Sequence, residues 1–243
     1  SKKKIGNKNA IFFTPSKISK WRVETLYEKE PETIKFIETM KNDGVFFDIG
    51  ANIGIYSIFA GLKKKKLKVF AFEPSASNFS LLSRNIYMNN LSNRVSIIQL
   101  PLGKKFLELS SISEGFLEEG GSMNSFGVDH GFDGKRYTPI NKYRLLGTSI
   151  DFLIDQKIIP KPNYIKLDVD GTEHLILSGG LKCLKYKGLK KIIIEINENF
   201  KKQFMSVKTI LKKNGFKVLQ KKRAENFYES KKFKKTFNYI FER

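Results

Sequence analysis

Cysteine is almost missing from this chain: Cys183 is the only one in 243 residues. That excludes a disulfide framework and a thiolate-based zinc site within one chain. No apolar run approaches the roughly 18 residues that span a bilayer as a helix. The opening residues are polar and lysine-rich with no apolar stretch behind them, so no secretory leader is visible and cytosol is the expected compartment. Acidic residues are scarce beside basic ones, 24 against 45, for a net charge of +21. Arginine, the usual reader of bases and phosphates, is sparse; the excess is lysine, in tracts at 63–66, 185–191, 219–223 and 230–235. Lysines spread over helix ends and loops read as a solvated surface, with a polyanionic partner or peripheral contact with an anionic surface left open. Nucleic acid is not the expected partner, because aromatics interleaved with arginine are lacking.

What is present is an alternation of strand and helix signals, the mark of βαβ units around a parallel sheet. Pro31 opens a helix over PETIKFIETM, and Gly44 follows its end. Strands are expected at 45–49, 68–74, 95–100, 164–168 and 191–197. Helices are expected at about 53–62, from a Ser75 cap to Asn89, from a Thr148 cap answered by Asp151, over 172–180 and over 203–214. FKVLQ (216–220) and TFNYIFER (236–243) read as a closing antiparallel pair around a basic loop. A long irregular insertion, about 104–147, holds a hairpin near 104–112, a glycine/serine-rich patch at 118–127 and a strand near 143–146, and is taken as functional. The chain reads as one domain: an N-terminal extension over 1–44 with a helix packed on the core, then a ligand-binding domain over 45–243.

The first strand leads into VFFDIGANIGIYS (45–57). A P-loop would need a lysine and a hydroxyl that are absent, and a dinucleotide fingerprint would need glycines where Asn52 and Ile55 stand. The spacing present is Asp48, Gly50, Asn52, Gly54. A carboxylate at the strand end would repel a pyrophosphate and suits a cationic group such as an ammonium. Glu73 ends the second strand, where an acidic residue would accept both hydroxyls of a ribose. Ammonium, ribose and close backbone approach together describe S-adenosylmethionine better than NAD.

DIGANIGIYS, FEPSASNFSLLSRNIYMN, the exit PLG and IKLDVDGTEHLILSGG followed by IIIEIN resemble the FkbM-type family of S-adenosylmethionine-dependent methyltransferases, from about 29–33 to Asn197. The resemblance implies a class I methyltransferase (Rossmann-like) α/β fold. Its sheet has seven mostly parallel strands in the order 3-2-1-4-5-7-6, helices on both faces and the last strand antiparallel. It also implies O-methylation of a sugar, glycan or small-molecule hydroxyl. Carried onto this chain, the cofactor contacts are Asp48, Gly50, Ala51, Asn52, Gly54 and Tyr56 in the first stretch, and Glu73, Pro74 and Ser75 in the second. Gln99, at the edge of the third strand, is placed for the adenine, and Asp168 for the methionine part. Where the family often has Asp-Val-Glu-Gly, this chain has Asp168-Val169-Asp170-Gly171, one methylene shorter at the second acid.

Deprotonating a hydroxyl calls for a base or a metal. Asp168, Asp170, Glu173 and His174 cluster at the end of the fourth strand, and Glu195 interrupts the most apolar strand near the same edge. These five are the candidate catalytic residues. No metal is assigned, although Asp168 and Asp170 could hold a divalent cation. Two rivals stay open: an RNA methyltransferase using the basic surface, which would lack the adjacent prolines of base-amino methyltransferases, and a binding protein without catalysis. The acceptor and the oligomeric state are not legible.

Overall fold

The computed structural model describes residues 1–222 and 234–243. Arg223 and residues 230–233 of the basic tracts lie outside the described residues, as does most of the loop expected between the last two strands. The chain begins with a hairpin, β1 (Lys2–Ile5) and β2 (Lys8–Ile11), then α1 (Lys17–Glu24) and α2 (Pro31–Glu38). The hairpin and α1 carried no expectation from sequence. The hairpin is short and mostly lysine and asparagine, and α1 has few apolar residues to set a period. Ser16 caps α1 through a capping box with Ser19.

Next come β3 (Val45–Ile49), α3 (Ile55–Lys63), β4 (Lys68–Phe72), α4 (Ala76–Met88) and β5 (Val95–Ile98). The insertion supplies β6 (Leu107–Glu114), β7 (Asn124–Phe126) and β8 (Asn141–Thr148). The remainder is α5 (Ile150–Asp155), β9 (Tyr164–Leu167), α6 (Glu173–Ser178), α7 (Leu181–Lys185), β10 (Lys191–Asn197), α8 (Lys201–Lys213), β11 (Lys217–Lys222) and β12 (Thr236–Glu242).

The main sheet runs β11-β12-β10-β9-β3-β4-β5. Its pairs among β3, β4, β5, β9 and β10 are parallel, and β12 lies antiparallel between β10 and β11. Renumbered along the sheet, this is the order 3-2-1-4-5-7-6, so the expected α/β architecture is present. The central strands are buried on both faces, which is why they read as near-continuous apolar runs. Two apolar layers, one around Ile37, Ile53, Ile58 and Leu82 and one around Ile165, Leu184, Ile194 and Leu211, cover the two faces. Among the described residues no helix is long and apolar enough to cross a membrane.

Three local expectations change. The 104–112 segment is not a hairpin: β6 is one long strand whose partners are β7 and the distant β8. The α5 cap is Ser149, whose Oγ accepts from Phe152 N at 3.2 Å, because Thr148 is still paired in β8. Ser75 precedes α4 as expected, yet its side chain makes no capping bond; its backbone N–H goes to Glu73 instead.

Candidate active site

The loop after β3 crosses the carboxyl ends of its neighbours, where open parallel sheets take ligands. Gly50 has φ +82°, and a Cβ there would lie 1.8 Å from the carbonyl oxygen of Asp168. Only glycine lets the two strand exits pass this closely. The N–H groups of Gly50 and Ala51 donate to the Phe72 carbonyl at 3.0 and 2.9 Å, tying the loop to β4. Gly54 begins α3 at φ +87° with Leu82 pressed against it.

Glu73 follows β4 and is buried. Its two carboxylate oxygens accept from the N–H groups of Asn52 (2.8 Å) and Ser75 (2.9 Å). Each oxygen thus keeps a lone pair, and the side chain borders a cavity of about 250 Å³. Burial pushes the Glu73 carboxyl up to about 7, against the two N–H donors. Gly50, Asn52, Pro74, Asp168, Asp170 and Glu195 border the same cavity. A smaller apolar slot of about 40 Å³ adjoins it and shares Gly50, Pro74, Asn124 and Val169; Phe72, Leu100, Leu102 and Phe126 form its walls.

Asp48 is not a cavity residue, contrary to expectation. It is fully buried, accepts from Ser57 Oγ at 2.6 Å and lies 3.8 Å from Lys166 Nζ. The parallel register sets Asp48 opposite Lys166, so the two point to the same face from adjacent strands. Burial raises the Asp48 carboxyl above its ordinary range, with Lys166 and Ser57 opposing. Lys166 Nζ also lies 3.1 Å from Asp168 Oδ2 and 5.3 Å from the centre of the Tyr56 ring. Burial acts against the Lys166 charge, yet Asp168, Asp48 and Glu30 outweigh it and raise its pKa. Ala51 and Tyr56 are buried and border neither cavity, and Ser75 meets the site only through its bond to Glu73. Gln99 borders neither; Leu100 and Leu102 occupy that edge.

The insertion roofs the cavity. Asn52 Nδ2 and Asn78 Nδ2 both donate to the Gly121 carbonyl, at 2.8 and 3.0 Å, and Gly120 N donates to Asn78 Oδ1 at 2.8 Å. From the far side, Asp170 Oδ2 accepts from Met123 N at 2.6 Å. Asp170 sits at φ +58°, so its backbone turns the carboxylate toward the roof. Burial, then the charge of Asp168, push it up to about 6.

Glu173 and His174 stand apart from this chemistry. The Glu173 carboxylate accepts from Val169 N (3.1 Å), Gly171 N and Gln203 Nε2, so it braces the exit loop of β9. Burial pushes it up to about 8. His174 lies edge-on to Phe200, centroids 5.9 Å apart, and burial, with His130 and Lys202 adding, pushes its pKa down to about 4. Neither borders the cavity. Glu195 does; burial and the Asp168 charge raise its carboxyl well above the ordinary range.

Trp21, Arg22 and Lys29 close the cavity from the N-terminal side, and no sequence pattern marks them. Arg22 Nε donates to the Gly120 carbonyl at 2.5 Å, joining α1 to the roof. Lys29 Nζ is 2.7 Å from Glu30 Oε1; against burial, Lys29 and Lys166 hold Glu30 down to about 2. A lysine beside a glutamate before a helix-opening proline carries no local sign of reaching a distant site. The cavity wall thus carries four carboxylates, Glu73, Asp168, Asp170 and Glu195, against two cations, Arg22 and Lys29. Among the described residues no group of three or more His, Cys, Asp or Glu is arranged to hold a metal.

The chain is 28% identical over 177 residues to the hexuronic acid methyltransferase AglP of Haloferax volcanii, covering 73% of this chain and 66% of that protein. It is thus similar over just under two thirds of that relative's length. It is 23% identical over 192 residues to the 31-O-demethyl-FK506 methyltransferase FkbM of Streptomyces tacrolimicus, covering 72% and 73%. Its fold is similar to that of a precorrin-6y C5,15-methyltransferase from Geobacter metallireducens, with a TM-score of 0.52 at 14% identity over 96% of this chain and 93% of that one. A putative rRNA-methylase from Clostridium thermocellum gives 0.51 at 12% identity over 88% and 95%. The model of the methyltransferase FkbM domain matches residues 48–218, most of the chain. This chain therefore belongs to the FkbM methyltransferase family.

Proposed function

We propose that this chain is an S-adenosylmethionine-dependent O-methyltransferase acting on a hydroxyl of a saccharide, glycoconjugate or related small molecule. The observation that carries the reading is the cavity at the β3–β4–β9 edge, with four carboxylates against two cations and Glu73 at one end. Burial makes these carboxyls costly to ionise, as the raised Glu73, Asp170 and Glu195 groups show, and an entering cation offsets that cost. The cofactor brings a sulfonium and an ammonium against one carboxylate, and its adenosine brings a ribose diol. Glu73 fits such a diol, since each of its oxygens has a free lone pair after accepting one backbone N–H. The adjoining apolar slot beside Pro74 suits a flat base.

When bound, the cofactor supplies an electrophilic methyl group for in-line displacement by oxygen. The residues of this chain do the positioning, which accounts for much of the rate in such a reaction. Asp168, braced by Lys166, is the group offered to the acceptor hydroxyl as hydrogen-bond acceptor and base. Asp170 holds the roof that excludes water. Glu195 and Lys29 bound the side where an acceptor enters. A saccharide acceptor is supported by the hexuronic acid methyltransferase among the relatives.

The test is methyl transfer from labelled cofactor to a panel of uronic-acid sugars, neutral glycans, lipid-linked sugars and RNA. Label on a carbohydrate hydroxyl supports the reading. Label on RNA alone, or on no acceptor despite cofactor binding, refutes the acceptor class.

A further inference from the structure

In the small sheet β7-β6-β8 one face is turned inward; of the other, the β6–β8 part is turned to solvent, while Ser113 and Ser125 lie buried against the Tyr137 hydroxyl. Ile112 of β6 is fully buried and, with Phe126 opposite it on β7, walls the apolar slot. Strand alternation then puts Leu107 and Leu109 of β6 on the outer face. On β8 it puts Lys142, Arg144 and Leu146 there, and Ile140 just before the strand continues the series. The register sets Leu109 directly opposite Leu146 and Ser111 opposite Arg144. Leu109 is 56% exposed, Leu146 48% and Ile140 63%.

An exposed cross-strand pair of leucines in line with two cations is not an ordinary solvated face. Neither Lys142 nor Arg144 is in an ion pair among the described residues; the nearby Glu108 is occupied by Lys105 at 2.8 Å. The outer face carries no acidic residue, and the whole chain carries +21. We infer that this face docks on an anionic lipid surface. Lipid headgroups answer the lysine and arginine while the acyl boundary takes the leucines and isoleucine. A second copy of the chain would set the same cations against each other across a two-fold axis. A nucleic acid would leave the aliphatic side chains against phosphate and water. Docking here would lay the sheet that roofs the cavity against the membrane. The inference goes beyond methyl transfer and requires neither cofactor nor acceptor to test.

The experiment is sedimentation of the full chain with phosphatidylglycerol vesicles and with phosphatidylcholine vesicles at physiological ionic strength. Binding to the first and not the second is expected. The double variant Lys142→Gln/Arg144→Gln should weaken partitioning by about 5-fold per cation removed. Leu109→Ser/Leu146→Ser should weaken it too, and its remaining binding should become more salt-sensitive. Unchanged circular dichroism keeps both variants interpretable, since all four side chains are exposed. No binding to phosphatidylglycerol would overturn the inference, as would binding that both variants leave unchanged. A dimer in light scattering that the leucine variant dissolves would assign the face to a second copy instead. RNA binding that the leucine variant spares, with no vesicle binding, would assign it to a polyanion.

Discussion

Lys166 Nζ stands between two carboxylates, 3.1 Å from Asp168 Oδ2 and 3.8 Å from Asp48 Oδ1, with almost none of its side chain in water. One carboxylate is sealed in the sheet and the other opens on the cavity, so a single buried cation links the core to the candidate base. Removing one member of a buried charge pair typically costs about 3–5 kcal/mol, because the partner is left charged and unsolvated. Lys166→Met should therefore lower the stability of the ligand-free protein by about that amount. Denaturant melts check it, and a melting midpoint equal to that of the parent would show that Lys166 is not the anchor described here.

Asp168→Asn should keep the fold and most of the cofactor affinity while lowering turnover by about 10²-fold or more, the loss of a general base. Steady-state rates with an identified acceptor measure this. Added EDTA should leave the parent rate unchanged. Loss of activity with chelator, restored by a divalent cation, would replace the side-chain base with a metal on Asp168 and Asp170.

The raised carboxyls give the ligand-free protein a pH signature. Asp170, Glu73 and Glu173 hold their protons to about 6, 7 and 8 when folded, above the ordinary carboxyl range. The folded state then binds more protons than the unfolded one in that window. The stability these groups add is full below their unfolded pKa values and is lost as pH rises through the folded ones. His174, pushed down to about 4, acts oppositely: its contribution is lost as pH falls below its unfolded value near 6.5. Between pH 6.5 and 8.5 only the carboxyls count, and the melting temperature should fall as pH rises. Glu173→Gln should flatten that slope. A melting temperature that climbs across this window would contradict the burial assigned to these groups.

Much of the fold was legible because parallel central strands announce themselves as apolar runs and the intervening helices by their caps. Less of the site was. Gly50, Asn52, Pro74 and Glu73 stand where the loop and strand-end pattern put them, since a strand end fixes position almost completely. Asp48 shows the opposite: only the register with β9 sets Lys166 against it, outside the cavity wall. Glu173 shared the acidic spacing of its neighbours, but its bonds to Val169, Gly171 and Gln203 make it a brace. Trp21, Arg22 and Lys29 reach the cavity by tertiary packing that no local pattern encodes.

Gly50→Ala tests the close passage of the two strand exits. A methyl group would meet the Asp168 carbonyl oxygen at 1.8 Å from a backbone at φ +82°. The variant should lose about 3 kcal/mol or more, or fail to accumulate as soluble protein. A soluble variant with the parent's melting curve would mean that the loop lies farther from β9 than described.

The cavity between Glu73 and Glu195 is proposed above to take an adenosine-linked sulfonium. Isothermal calorimetry with S-adenosylhomocysteine, run on the parent chain, on Glu73→Ala and against NAD, tests it most directly. A single site for S-adenosylhomocysteine is expected, weakened by roughly 1–3 kcal/mol in Glu73→Ala as hydrogen bonds to a charged acceptor are lost, with no heat from NAD. No heat with S-adenosylhomocysteine, or NAD binding at the same site, would contradict it.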